Sequence, residues 1–382
     1  MKGASRWRLV ALLVLVGAGL WVTAVLAAPH MPPLRDFDQT FYPAIRYTLA
    51  GENPYTAYYE ETDQGAPPLF FSPPWLLLIL LPFGLFPLAM ARVLWLLFLI
   101  GVSFASIRLL APWRVQGLWT LALVVLPWSL IGLLFGQVTP LVLLGALAAI
   151  VLVYHFPESW PVALLLSLCF LLMGLKPQLG ILLAAPLLFW MVKTRDRRLV
   201  GVVLVGSLAL LITLLLVPPW LIRQTGEISQ TIAPHWQSTL ERELTLWQLP
   251  PLAAALMAPL ARLFVVGVMV AWAWRARGFP PAWWSAWFTA VLIITPYTRA
   301  YDGILMLPML AQMIVYRRWH FLAFVALMGL YILSPNGELG SVVAPLTAWL
   351  LFVPWRGTAV EIGDWRLENN QSPISNLSSQ LD

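Results

Sequence analysis

The sequence is short of charge. Only 10% of its 382 residues are Asp, Glu, Lys or Arg, against roughly a quarter in a soluble domain. Most of the chain therefore has too few solvated groups to face water. It holds one cysteine, Cys169, inside an apolar run. That excludes a disulfide within the chain and a Cys-based metal site, and the thiol reads as a small buried hydrophobe. There are four histidines and no Cys/His/acid cluster at ligand spacing. Internal repeats, aromatic-interleaved basic stripes and groove-binding motifs are also missing. The net charge of +6 thus does not point to nucleic acid.

What is present is hydrophobicity: 60% of the residues are apolar, with a mean hydropathy of +0.80. The composition predicts an all-α polytopic membrane bundle. Spans of about 20 apolar residues are predicted over Leu9–Ala28, Leu88–Leu109, Gly117–Phe135, Val138–His155, Trp160–Leu175, Pro177–Val192, Leu199–Val217, Pro251–Trp274, Ala282–Thr295, Gly303–Tyr316, Phe321–Ser334 and Ser341–Pro354. This gives about twelve transmembrane helices in a single domain, 1–355, followed by a polar, disordered tail, 356–382. The first segment follows Lys2, Arg6 and Arg8; its length and lack of a small-residue cleavage site mark a retained anchor rather than a signal peptide. Pro73–Pro87 is apolar but short, Pro-bounded and broken at Phe83-Gly84, which suits a re-entrant or interfacial segment.

Charge orients this scheme. With the N-terminus in the cytoplasm, the clusters Lys2/Arg6/Arg8, Arg108/Arg114, Lys193/Arg195/Arg197/Arg198, Arg275/Arg277 and Arg317/Arg318 fall inside, as the positive-inside rule requires. Both termini are then cytoplasmic in a multi-pass cell-membrane protein. Many of the 21 Trp residues lie near segment ends, as in an interfacial belt. Two long excursions fall outside: 29–87, which includes the Pro73–Pro87 segment, and 218–250.

The outer loops hold the residues able to do chemistry. The first reads Arg35-Asp36-Phe37-Asp38-Gln39-Thr40-Phe41-Tyr42, then Arg46, Gly51 and Asn53-Pro54-Tyr55. Asp36 or Asp38 is placed to cap a short interfacial helix whose Phe41, Ile45 and Leu49 lie on the membrane, with Gly51 ending it. At the edge of low dielectric, a carboxylate is also suited to act as a base. Lys176 falls between two apolar segments, where an unpaired charge is costly, and snorkelling to the interface is the competing account. Arg299 and Asp302 are placed to pair with each other, and Arg46 to sit on a solvated helix face. Gln137 reads as a turn cap or a hydroxyl-binding group, and His235 as an exposed loop residue. Arg262, inside the eighth predicted span, points to a misplaced boundary.

Taken in order, these motifs resemble glycosyltransferase family 87, the polyprenol-phosphate-mannose-dependent mannosyltransferases of the GT-C superfamily. The resemblance runs over about residues 8–320. It is carried by Asp36-Phe37 with Phe41-Tyr42, Gly51-Glu52-Asn53-Pro54-Tyr55, Phe71-Ser72-Pro73-Pro74, Gly136-Gln137, Lys176-Pro177, and Thr295-Pro296-Tyr297 with Tyr301-Asp302. The late loop has Arg299 where some members carry histidine. Asp36 matches the family's Asp-Phe pair, whereas Asp38 has the better spacing to Tyr42; the register stays open.

The resemblance implies a GT-C-like hexosyltransferase acting at the outer face of the plasma membrane. A hexose, mannose by kinship, passes from a polyprenyl-phosphate donor to a lipid or glycan acceptor. Asp36 or Asp38 is implied as general base, with Tyr42, Arg46, Gln137, Lys176, Arg299 and Asp302 as substrate contacts. No cofactor is expected beyond the lipid-linked donor, since phosphate leaves as a monoester. The competing readings are a transporter or flippase, which would place charge at mid-membrane and show repeats, and a non-catalytic envelope-assembly subunit.

Overall fold

The computed structural model describes residues 19, 21–23, 25–55, 70, 72–109, 126–216, 244, 248, 250–295, 298–316, 318–333 and 342–353. His235, the tail 356–382, nearly all of the excursion 218–250 and most of the first predicted span lie outside the described residues. Among the described residues, every regular element is helical. The chain divides into two compact units, Met1–Leu109 with Thr120–Ala233, and Leu110–Trp119 with Pro234–Asp382.

In the first unit, a π-helical turn (Phe37–Phe41) runs into α1 (Tyr42–Leu49). A short helix, α2 (Trp75–Leu80), continues as a 3-10 turn over Leu81–Leu85. Then come α3 (Leu88–Leu109), α4 (Pro127–Phe135), α5 (Thr139–His155), α6 (Trp160–Met173), α7 (Pro177–Thr194) and α8 (Arg198–Leu216). The core forms where α5 packs on α3 and α6, and α8 packs on α6. Proline stands at the first or second position of α4, α5, α6 and α7. Its fixed φ suits a helix start, and the N–H it lacks has no partner there in any case.

The Trp75–Leu85 stretch is helical for about 19 Å, well short of a hydrocarbon core of about 30 Å. Both its ends lie at the same end of the unit. Trp75 Nε1 donates to Leu171 O at the close of α6 (2.9 Å), and Phe86 O accepts from Tyr42 (2.8 Å). It enters and returns, as its proline boundaries predict.

The second unit contains α9 (Pro251–Arg275), α10 (Pro281–Ile294), a 3-10 turn over Ala300–Met306, α11 (Leu307–Tyr316), α12 (Arg318–Ile332) and α13 (Val343–Phe352). α10 is its core: every residue from Pro281 to Ile293 is buried, among α9, α11 and α13. A helix apolar on all sides belongs inside. Trp283 Nε1 donates to Met269 O of α9 (2.7 Å) and its ring stacks on Trp287.

Four described helices are long and apolar enough to cross a membrane: α3, α7, α8 and α9. The α4–α5 pair, bent by 117° at its break, makes a fifth if taken as one span. The protein is a multi-pass helical membrane protein. Several predicted spans form shorter helices: α6 and α10 have 14 residues, α12 has 15 and α13 has 10. The span predicted over Gly117–Phe135 has its described helix only from Pro127. The misplaced boundary expected at Arg262 is overturned, because α9 runs unbroken past it. Its Nε lies 3.4 Å from Ile293 O at the end of α10, where a helix C-terminus favours a cation.

Candidate active site

The candidate site starts from a turn of the wrong width. Residues 37–41 are wound as a π-helix, a geometry that recurs at functional sites. It separates the side chains of Asp36 and Asp38. Neither caps the helix through its side chain, against expectation, because each finds a partner far away in sequence.

Asp38 turns to α3. Arg92 Nε donates to its Oδ1 (2.8 Å) and Arg92 Nη2 lies 2.7 Å from Oδ2, a bidentate fork. Burial lifts the Asp38 carboxyl above its ordinary 3.8, and the Arg92 guanidinium pulls the other way. Burial wins because side-chain exposure is only 10% for Asp38 and 18% for Arg92.

Asp36 turns to the elbow between α4 and α5, where Gln137 Nε2 donates to its Oδ2. The elbow requires Gly136. Its φ is +70°, and a Cβ there would lie 2.8 Å from Phe37 Cβ and 3.3 Å from Trp95 Nε1. Both the left-handed backbone and the close approach exclude a larger residue. Trp95 Nε1 donates to Gly136 O (2.8 Å), and its ring stacks on Phe37 at 5.6 Å. Phe37, fully buried, thus anchors the turn between the two aspartates.

Tyr42 and Arg46 hold α1 to the re-entrant segment. Tyr42 Oη donates to Phe86 O (2.8 Å), and Arg46 Nη1 lies 3.3 Å from Gly84 O. The face of α1 predicted to lie on the membrane is instead partly buried in protein. Ile45 is fully buried against Gly84, where a Cβ would come within 2.2 Å of Ile45 Cγ2. Leu49 remains 45% exposed. The helix ends as expected at Gly51, φ +78°.

Lys176 is the N-cap of α7, and its carbonyl accepts from Leu179 (3.0 Å) and Gly180 (2.8 Å). It belongs to the same end of the unit as Gln137, because α5 leaves from that end and α6 returns to it. The opposite end carries Lys193, Arg195, Arg197 and Arg198, and there Arg198 donates to the carbonyls of Leu152, Val153 and Phe156 at the close of α5. The two ends are separated by α5, about 25 Å at 1.5 Å per residue.

Arg299 and Asp302 sit together in the second unit. The Arg299 N–H donates to Asp302 Oδ2 (3.0 Å) and its carbonyl accepts from the Asp302 N–H (2.8 Å). Asp302 is 1% exposed, and the Arg299 guanidinium lies 5.9 Å from the Tyr301 ring centroid. The expected pairing is therefore a cap through Arg299's backbone.

The sequence profile of glycosyltransferase family 87 matches residues 70–296. The chain belongs to glycosyltransferase family 87. Neither a curated protein nor a solved structure matches it. As a family 87 member it is a membrane glycosyltransferase, and the all-helical architecture is consistent with the GT-C superfamily. The matched stretch includes Pro73-Pro74, Gly136-Gln137 and Lys176-Pro177; Asp36, Asp38, Tyr42 and Arg46 precede it, and Arg299 and Asp302 follow it. The first unit brings together Asp36, Asp38, Tyr42, Arg46 and Gln137. It also supplies two residues that sequence reasoning missed, Arg92 and Trp95. A signal for Arg92 existed, since a cation one turn into an apolar span demands a partner.

Proposed function

We propose that the protein is a hexosyltransferase of the outer face of the plasma membrane. It transfers a hexose, mannose by family kinship, from a polyprenyl-phosphate donor to a lipid or glycan acceptor, with an aspartate of the first outer loop as general base. Under this reading the chain crosses the membrane about twelve times as one domain, with both termini in the cytoplasm.

The observation that carries the reading is polarity along the first unit. Two carboxylates, Gln137 and Lys176 share one end, and the basic cluster around Arg198 stands at the other. By the positive-inside rule the basic end is cytoplasmic, which leaves the carboxylates at the outer interface where a lipid phosphate lies. The chemistry balances with the groups present. The aspartate takes the acceptor's hydroxyl proton while the acceptor oxygen bonds to the anomeric carbon. The bond to the donor phosphate breaks with its electron pair remaining on phosphate. Lys176 is the candidate cation for that departing charge. For Arg299 and Asp302, a substrate contact rests on the resemblance.

The test is to incubate the purified protein with a panel of polyprenyl-phosphate sugars and a membrane lipid extract, and to search the products by mass. Sugar transfer that disappears when both aspartates are changed to asparagine supports the proposal. Uptake of solute by proteoliposomes lacking donor lipid, with no transfer product, would favour a transporter instead.

A further inference from the structure

Side chains two positions apart leave a helix on different sides, so Asp36 and Asp38 cannot both face a bound acceptor. The contacts separate their roles. Asp38 meets a cation through both oxygens, Arg92 Nε at 2.8 Å and Nη2 at 2.7 Å. Asp36 meets a neutral amide, that of Gln137. A neutral donor orients a carboxylate while leaving it the charge that a base needs; a guanidinium fork neutralises it. Arg92 stands 54 residues from Asp38, so the pair ties the loop to a membrane helix.

We infer that Arg92 is a positioning residue. Its fork on Asp38 fixes the π-helical turn so that Phe37 seats against Gly136 and Trp95 and Asp36 reaches Gln137. This assigns the base to Asp36 and the clamp to Asp38. The inference rests on the proposed reading of a first-loop carboxylate as the base. Arg92 forms and breaks no bond in the transfer; it acts through the placement of Asp36.

The experiment uses the full chain in lipid nanodiscs with polyprenyl-phosphate mannose as donor and a membrane lipid extract as acceptor. Turnover is measured per folded molecule, the folded fraction coming from size-exclusion profiles. If this donor gives no transfer, the donor from the sugar panel that does replaces it. Asp36→Asn is expected to lower kcat by roughly 10²–10⁴-fold, the usual worth of a general base. Arg92→Ala and Asp38→Asn should each lower kcat by about 10–100-fold, as expected for a misplaced reacting group, with the donor KM within about twofold of wild type. Arg92→Lys should fall between, because an ammonium cannot form the fork. The double variant Asp38→Asn/Arg92→Gln, a neutral pair of similar shape, should recover most of the loss, and it carries the test if Arg92→Ala does not fold.

A purely structural pair would reduce the folded fraction and leave kcat per folded molecule and KM unchanged. Wild-type kcat in folded Arg92→Ala, or a folded double variant as slow as Asp38→Asn alone, overturns the inference while an inert Asp36→Asn keeps the proposed function standing. Full activity in Asp36→Asn with loss in Asp38→Asn reverses the assignment and overturns it. Full activity in both sinks the underlying reading as well.

Discussion

The first unit holds two aspartate–arginine pairs at its opposite ends, and they differ in reach and in completeness. Asp196 and Arg198 are two residues apart and almost fully buried, at 4% and 5% side-chain exposure. The guanidinium places its donors on both Asp196 oxygens and on three carbonyls that close α5. Asp38 and Arg92 are joined across 54 residues and remain partly open, beside the carboxylate proposed to do the chemistry. A short-range pair that satisfies a helix end secures the fold locally. A long-range pair at the rim of a site sets where a loop sits. The same two side chains thus serve stability at one end and placement at the other.

This contrast can be broken most sharply by activity. Asp36→Asn should cut turnover by roughly 10²–10⁴-fold with little change in thermal stability, as measured by product mass and a melting curve on the same preparation. Arg198→Ala should do the reverse. It leaves Asp196 buried without its cation, costing about 3–5 kcal/mol, while turnover per folded molecule stays near wild type; a large kcat defect there would erase the distinction between the two ends.

Gly136→Ala tests the elbow between them. A left-handed alanine costs about 1–2 kcal/mol before the contact with Phe37 is counted, so both stability and turnover should fall. Equal turnover would mean the elbow does not govern Asp36.

The Asp38 pair also has a pH signature. Burial raises its carboxyl above 3.8, so the folded protein takes up this proton before the unfolded chain does. The stability of wild type relative to Asp38→Asn/Arg92→Gln should therefore rise as pH falls through the folded value towards 3.8. Chemical denaturation at a series of pH values reads this directly. The smallest effect is Tyr42→Phe, which removes one hydrogen bond to Phe86 O and should cost about 1 kcal/mol.

Fold class was legible because composition alone decides whether a chain can face water. The re-entrant segment was legible from Pro73, Phe83-Gly84 and Pro87, which act locally. Partners were not. Asp36 finds Gln137 across 101 residues and Asp38 finds Arg92 across 54, and a single sequence carries no record of such pairings. The capping role assigned to the aspartates failed for the same reason, since a local rule competed with tertiary contacts that the sequence does not display. Arg262 was misread because hydropathy treats a cation in a span as an error, whereas the end of α10 supplies a carbonyl. The dozen predicted spans counted apolar runs, and several of those runs form helices of 10 to 15 residues.

The prolines that open α4, α5, α6, α7, α9 and α10 bear on assembly. Each of these helices begins where its own pyrrolidine ring dictates and has one amide fewer to satisfy at that start. During synthesis such a segment can settle into lipid before its neighbours have emerged. The starting points of the bundle's walls are thus written segment by segment and do not wait on the finished fold.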